Sequence, residues 1–179
     1  MSWSEIKTKI KSLDNRDLLA IIQDLYTMNT TNRRYLDSRF IPNNRTDIIE
    51  EIKVQLNKYT QKHKKQECRS LLNDYKRASN DFEGYIRLCL YHAECVVEYH
   101  DYFLEFNDNL LKTAITSFEQ ACKHFSKLNE VSKPTIYSEI KQLRDKSSTF
   151  QFWVHESFDY QFSTLELQLN GNPDTSHTF

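Results

Sequence analysis

Residues 81–103 read DFEGYIRLCLYHAECVVEYHDYF, and this stretch decides the fold. Ile86, Leu88, Leu90, Ala93, Val96 and Val97 recur at helical spacing and cover more than one face, which predicts a long helix buried at the centre of the molecule. Asn80 with Glu83 opens it in the style of a capping box. Gly84 falls in its first turn, where the helix penalty of glycine is small, and predicts room for a crossing helix or an aromatic cluster. The chain of 179 residues holds one other glycine, Gly171, in a polar C-terminal stretch. Phosphate loops of the P-loop and dinucleotide types need several glycines, so both are excluded; turn-rich sheet folds are disfavoured for the same reason.

Outward from this helix the apolar spacing stays helical on both sides. Ile6, Ile10 and Leu13 mark a short first helix. Asp14 caps a second one, with Asp17 at its start and Leu13 and Leu18 spaced as a hydrophobic staple. Its expected core stripe is Leu18, Ile21, Ile22 and Leu25, ending near Met28. A third runs from about Thr31 to Phe40 and stops before Pro42. Thr46 is expected to cap a longer helix that carries Ile48, Ile52 and Leu56 into the polar run 61–66, a solvated helix end or a linker. Leu71, Leu72, Tyr75 and Ala78 make the next. Beyond the central helix, Asn107 or Asp108 starts a helix bearing Leu110, Ala114, Phe118, Ala121 and Phe125. Pro134 suits the first turn of another, with Ile136, Ile140 and Leu143 facing inward. The aromatic segment from Phe150 to Phe162 reads as a final helix across the others. Ala114-x3-Phe118-x2-Ala121 is similar to the second helix of a tetratricopeptide repeat, but no fixed period recurs. The expectation is therefore all-α: a single-domain irregular bundle or stack of eight to nine helices over residues 1–169, with a disordered polar tail at 170–179.

Composition narrows the function classes. An aromatic share of 13%, with eleven Phe and ten Tyr, supplies a real core. No apolar run reaches the ~18 residues of a membrane span, and the first residues lack the build of a signal peptide, so a cytoplasmic protein is expected. Cysteines 68, 89, 95 and 122 form no C-x-x-C pair and read as reduced structural thiols. The net charge of −1 divides unevenly, +5 over residues 1–90 and −6 over the remainder. The basic half could face an acidic partner or, weakly, nucleic acid; it could equally pair with the acidic half or form solvated helix faces.

Arg87-x4-His92 is the sharpest catalytic candidate. The spacing resembles the motif of the HEPN ribonucleases, and that resemblance implies His92 in proton transfer and Arg87 on phosphate charge. The family places a polar residue after its Arg, where this chain has Leu88. Cys89, His92 and Cys95 step around one helix in threes, so the outer two diverge by about 120° and do not make a metal site. Glu94, Glu98, Asp101 and Glu105 form an acidic stripe without the Glu-x-x-His pairs of di-iron bundles. His155, Glu156 and Asp159 could make an acid/base cluster, with no nucleophile beside them. No metal or cofactor is expected.

The segment with Phe152, Trp153, His155, Phe158 and Tyr160 reads as core or as the surface that meets a partner. Lys146 is the last basic residue, so base stacking there is disfavoured. Several phrases together, Leu25-Tyr26, the run from Tyr35 to Pro42, Asp74-Tyr-Lys-Arg-Ala78 and the run from Leu88 to Tyr99, resemble a family of small bacterial helical proteins catalogued as a domain of unknown function. His155-Glu156 matches a late His-acid pair of that family, although its flanking glycines are replaced here. The resemblance implies an all-helical fold and no particular activity. A protein that binds another protein, or itself, is the expectation that follows.

Overall fold

The computed structural model describes residues 2–41, 45–79, 81–103, 108–150 and 152–170, apart from the side chains of Ser38, Arg45, Asp101, Tyr102 and Phe103. Nine α-helices make up these residues: α1 (Trp3–Lys11), α2 (Asn15–Met28), α3 (Thr30–Phe40), α4 (Arg45–Gln61), α5 (Lys65–Ser79), α6 (Phe82–Phe103), α7 (Asp108–His124), α8 (Lys133–Lys146) and α9 (Phe152–Asn170). Two single 3-10 turns, Phe125–Lys127 and Ser147–Thr149, follow α7 and α8. The fold is all-α, as the apolar spacing requires. Asn80, Pro42, Glu105, Asn107, the Asp101 side chain and the tail from Gly171 onward lie outside the described residues, and α9 extends through Asn170.

α6 packs against α4, α5, α7 and α8, most extensively against α7. A helix enclosed on so many sides must be apolar on more than one face, and its six predicted core residues are all buried. α9 lies on α7 and α8, presenting Val154, Phe158, Phe162 and Leu165 at successive turns. The Phe118 and Phe158 rings stack with centroids 4.1 Å apart, tying α9 to α7.

Local chemistry sets the helix ends. The α6 cap is Asp81, whose Oδ1 accepts from the Gly84 N–H at 3.0 Å. Its Oδ2 accepts from the Tyr75 hydroxyl at 2.7 Å, and the Asp81 N–H donates to Ser79 Oγ, so one carboxylate fastens α5 to α6. A Cβ on Gly84 would collide with both oxygens of that bond and approach Ile49 Cδ1 of α4 to 2.9 Å. Glycine here makes room for a crossing helix, as expected. α4 starts at Arg45, so Thr46 is inside the helix and does not cap it. The polar run after α4 is a tight turn: Lys64 N–H donates to Tyr59 O and His63 N–H to Thr60 O, with His63 at φ 54°. This is a Schellman closure with histidine where glycine is usual.

Candidate functional site

The largest departure from the sequence reading is at the N-terminus. α1 and α2 are well specified locally. Ser2 and Glu5 complete a capping box, Asp14 Oδ1 accepts from Asp17 N–H at 2.8 Å, and Asn29 caps α3 in the same way. Yet neither helix buries a residue. Most of the expected core stripe of α2 lies open: Ile21 is 40% exposed and Ile22 and Leu25 42%, while Leu18 is half-buried; Leu19 and Met28 stand at 66% and 68%. Trp3 on α1 is 69% exposed. α2 packs on α3 and α3 on α5, which holds α2 beside the core without covering its apolar face. The periodicity of α2 correctly marks an apolar face; what it cannot show is whether another part of the chain lies over that face.

The aromatic segment of α9 divides by register. Phe158 is fully buried and belongs to the core, so it is no surface for a partner. Trp153 and His155 are half-buried, and the His155 ring meets Ser147 Oγ at 2.9 Å through Nδ1. Asp159 turns instead to Arg144, at 3.1 Å, so the acid/base cluster is not assembled. Phe152 and Tyr160 point outward, at 74% and 69% exposure. Glu94 and Glu98 accept from Lys146 Nζ at 2.8 and 2.6 Å, which makes that part of the acidic stripe a lysine-paired face.

Arg87 and His92 are not brought together. Five helical positions separate them by roughly 140° around α6. Arg87 bridges Glu83, at 2.7 Å, and Glu139 of α8, at 3.2 Å, beside α8. His92 is buried on the other side, where its Nδ1 lies 2.8 Å from Ser117 Oγ of α7. Burial pushes its pKa down to about 4, so the ring is neutral at neutral pH. The paired, open geometry that the ribonuclease resemblance implies is absent among the described residues of one chain. The thiols are equally quiet: burial raises Cys68 to about 11 and Cys89 and Cys122 to about 12, against the thiolate a nucleophile or metal ligand needs.

His92 and Ser117 do line a groove of about 600 Å³ between α5, α6 and α7. Lys65 and Arg69 of α5 stand on its wall, and no carboxylate lines it. Beyond its end the cations continue. Lys76 Nζ sits 5.3 Å from the Tyr85 ring centre and Lys127 Nζ 4.7 Å from that of Phe82, with the His124 ring against both aromatics. Among the described residues, Lys65, Arg69, Lys76 and Lys127 form no ion pair. The basic excess of the first half is visible in the sequence; its gathering along α5 beside a groove is a property of the fold. No helix of the described residues is long and apolar enough to cross a membrane. Compared with known proteins, the chain matches no family model, no curated protein and no solved structure.

Proposed function

We propose that this chain is a protein-interaction module that works by laying the apolar face of α1 and α2 against another protein chain. The carrying observation is the open stripe Ile21, Ile22 and Leu25 on α2, with Leu19 and Met28 exposed on the same helix and Trp3 exposed on α1. Fully burying an exposed aliphatic side chain stabilises by about 1.5–3 kcal/mol; with about two fifths of each still open, covering the rest adds roughly 0.6–1.3 kcal/mol per side chain, so several left open on one helix face favour association. Its period of three and four residues suits the docking of an amphipathic helical face into a groove. Trp3 and Tyr35, both exposed, are of the residue types that anchor interfaces. Side-chain caps at the starts of α1, α2 and α3, together with the packing of α2 on α3 and of α3 on α5, favour the helical form before binding.

The test is a quantitative cross-linking capture from native extract with the wild type and the double variant Ile22→Gln, Leu25→Gln, paired with sedimentation of each purified protein. The expected result is a specific cross-linked partner, or a second copy of the chain, reduced at least about tenfold in the double variant while helicity is retained. Equal capture and equal sedimentation of the two proteins would overturn the reading.

A further inference from the structure

We infer that the groove between α5, α6 and α7 is a binding site for a small, hydroxyl-rich phosphomonoester, such as a phosphorylated sugar or polyol. This goes beyond the docking face, which lies on other helices.

The charge in the groove selects an anion. Lys65 and Arg69 line it, and no carboxylate is among the lining residues; Glu67, between them in sequence, pairs with Lys64. Lys65 and Arg69 sit four residues apart, at the first and second turns of α5, so both project on one side of that helix about 6 Å apart along its axis. The positive end of the α5 dipole adds to the same field. Two neighbouring cations match the double charge of a phosphate dianion; a single carboxylate would compensate only one of them. Arg69 can bind two phosphate oxygens in parallel, and Lys65 supplies a point charge to the third.

The neutral lining selects the rest of the ligand. Thr113 Oγ1 donates its proton to Leu110 O at 2.7 Å, and Thr116 Oγ1 donates to Lys112 O at 2.9 Å. With their protons committed, both hydroxyls can offer the groove lone pairs, which calls for donors on the ligand. Asn73 and Gln120 carry both a donor and an acceptor, and alcohol groups are satisfied by either. At the groove's buried wall the Ser117 hydroxyl, with no bond of its own to the α7 backbone among the described residues, is placed to donate to His92 Nδ1. That tautomer leaves His92 Nε2–H as the donor of a neutral ring. A deep wall with neutral donors and acceptors and an outer wall with two cations together describe a polyol carrying its phosphate toward α5. The volume exceeds that of a single hexose phosphate, so no rearrangement of the helices is required.

The full chain, labelled with 15N, is titrated with glucose 6-phosphate, and separately with glucose and with inorganic phosphate, while the His92 ring and the amides of residues 113–120 are followed by NMR. The expected result is saturable displacement of these signals by glucose 6-phosphate below about 10 mM, with glucose at least tenfold weaker. Arg69→Gln weakens that binding about tenfold or more, by loss of a charge-assisted contact. Thr116→Val leaves the affinity for inorganic phosphate in place and lowers that for the sugar phosphate. Lys127→Gln, outside the groove, changes neither. Absence of displacement at His92, or equal binding in Arg69→Gln, overturns the site; inorganic phosphate binding as tightly as the sugar phosphate overturns the assignment of ligand class.

Discussion

His63 holds a left-handed backbone, φ 54°, at the one turn of the described chain where glycine would ordinarily stand. Its ring contributes in exchange: Nε2 lies 3.2 Å from the Tyr99 hydroxyl, and the two rings meet edge to face, joining the α4–α5 turn to α6. A β-branched residue tolerates this φ least, so His63→Val is expected to be less stable than His63→Gly by about 1–2 kcal/mol in urea unfolding, since both lose the ring. Gly84 is the opposite case, a glycine needed for space and not for φ. Because the Tyr75–Asp81 bond and Ile49 occupy the place of a side chain there, Gly84→Leu is expected to cost at least about 1–3 kcal/mol. Unchanged stability would mean that the three neighbours yield freely.

At the scale of elements, helices are stamped by their period and positioned by what the period cannot state. α9 shows how far register reaches. Phe158 and Tyr160 lie two positions apart on one aromatic-rich helix, one enclosed against Phe118 and the other in solvent. Phe158→Ala is expected to destabilise by about 3–5 kcal/mol and Tyr160→Ala by less than about 0.5 kcal/mol, read from the same unfolding curves. The helices, the α6 core and the inward residues of α7 and α8 were legible because apolar side chains at 3.6-residue spacing mark a helix and its apolar face, and on α6, α7 and α8 that face is covered. Three features were not. The cap of α6 moved to Asp81 because the Tyr75 hydroxyl and Ser79 bind that residue across a helix junction, which is a tertiary fact. The stripe of α2 looked like core because covered and uncovered amphipathic faces have the same spacing. Arg87 and His92 looked paired in sequence, and the helical turn carries them to opposite sides of α6.

For the whole molecule, the buried histidines set how acid acts. His92 has its pKa lowered by burial to about 4, against 6.5 when unfolded, and His124 is lowered too, first by burial. The unfolded chain therefore binds more protons than the folded one below pH 6.5. The stability that neutral His92 contributes is whole above that pH and is lost as pH falls from 6.5 toward 4, by about 3 kcal/mol at most. In His92→Gln the unfolding free energy is expected to fall less steeply across that interval; an unchanged slope would place the proton uptake elsewhere. The charge asymmetry of the chain also acquires a location. Arg87–Glu139 joins the basic to the acidic half, while Lys65, Arg69 and Lys76 remain gathered along α5. Two surfaces thus stand out from the helical body, a basic groove and an apolar N-terminal face. The claim that the second is a surface, and no part of the core, is tested most directly by the thermal midpoint of Ile22→Gln, Leu25→Gln at a low protein concentration where chains are separate. Because neither side chain is buried, the midpoint is expected within about 2 °C of the wild type, whereas a fall of about 10 °C or more would show that these residues hold the fold together.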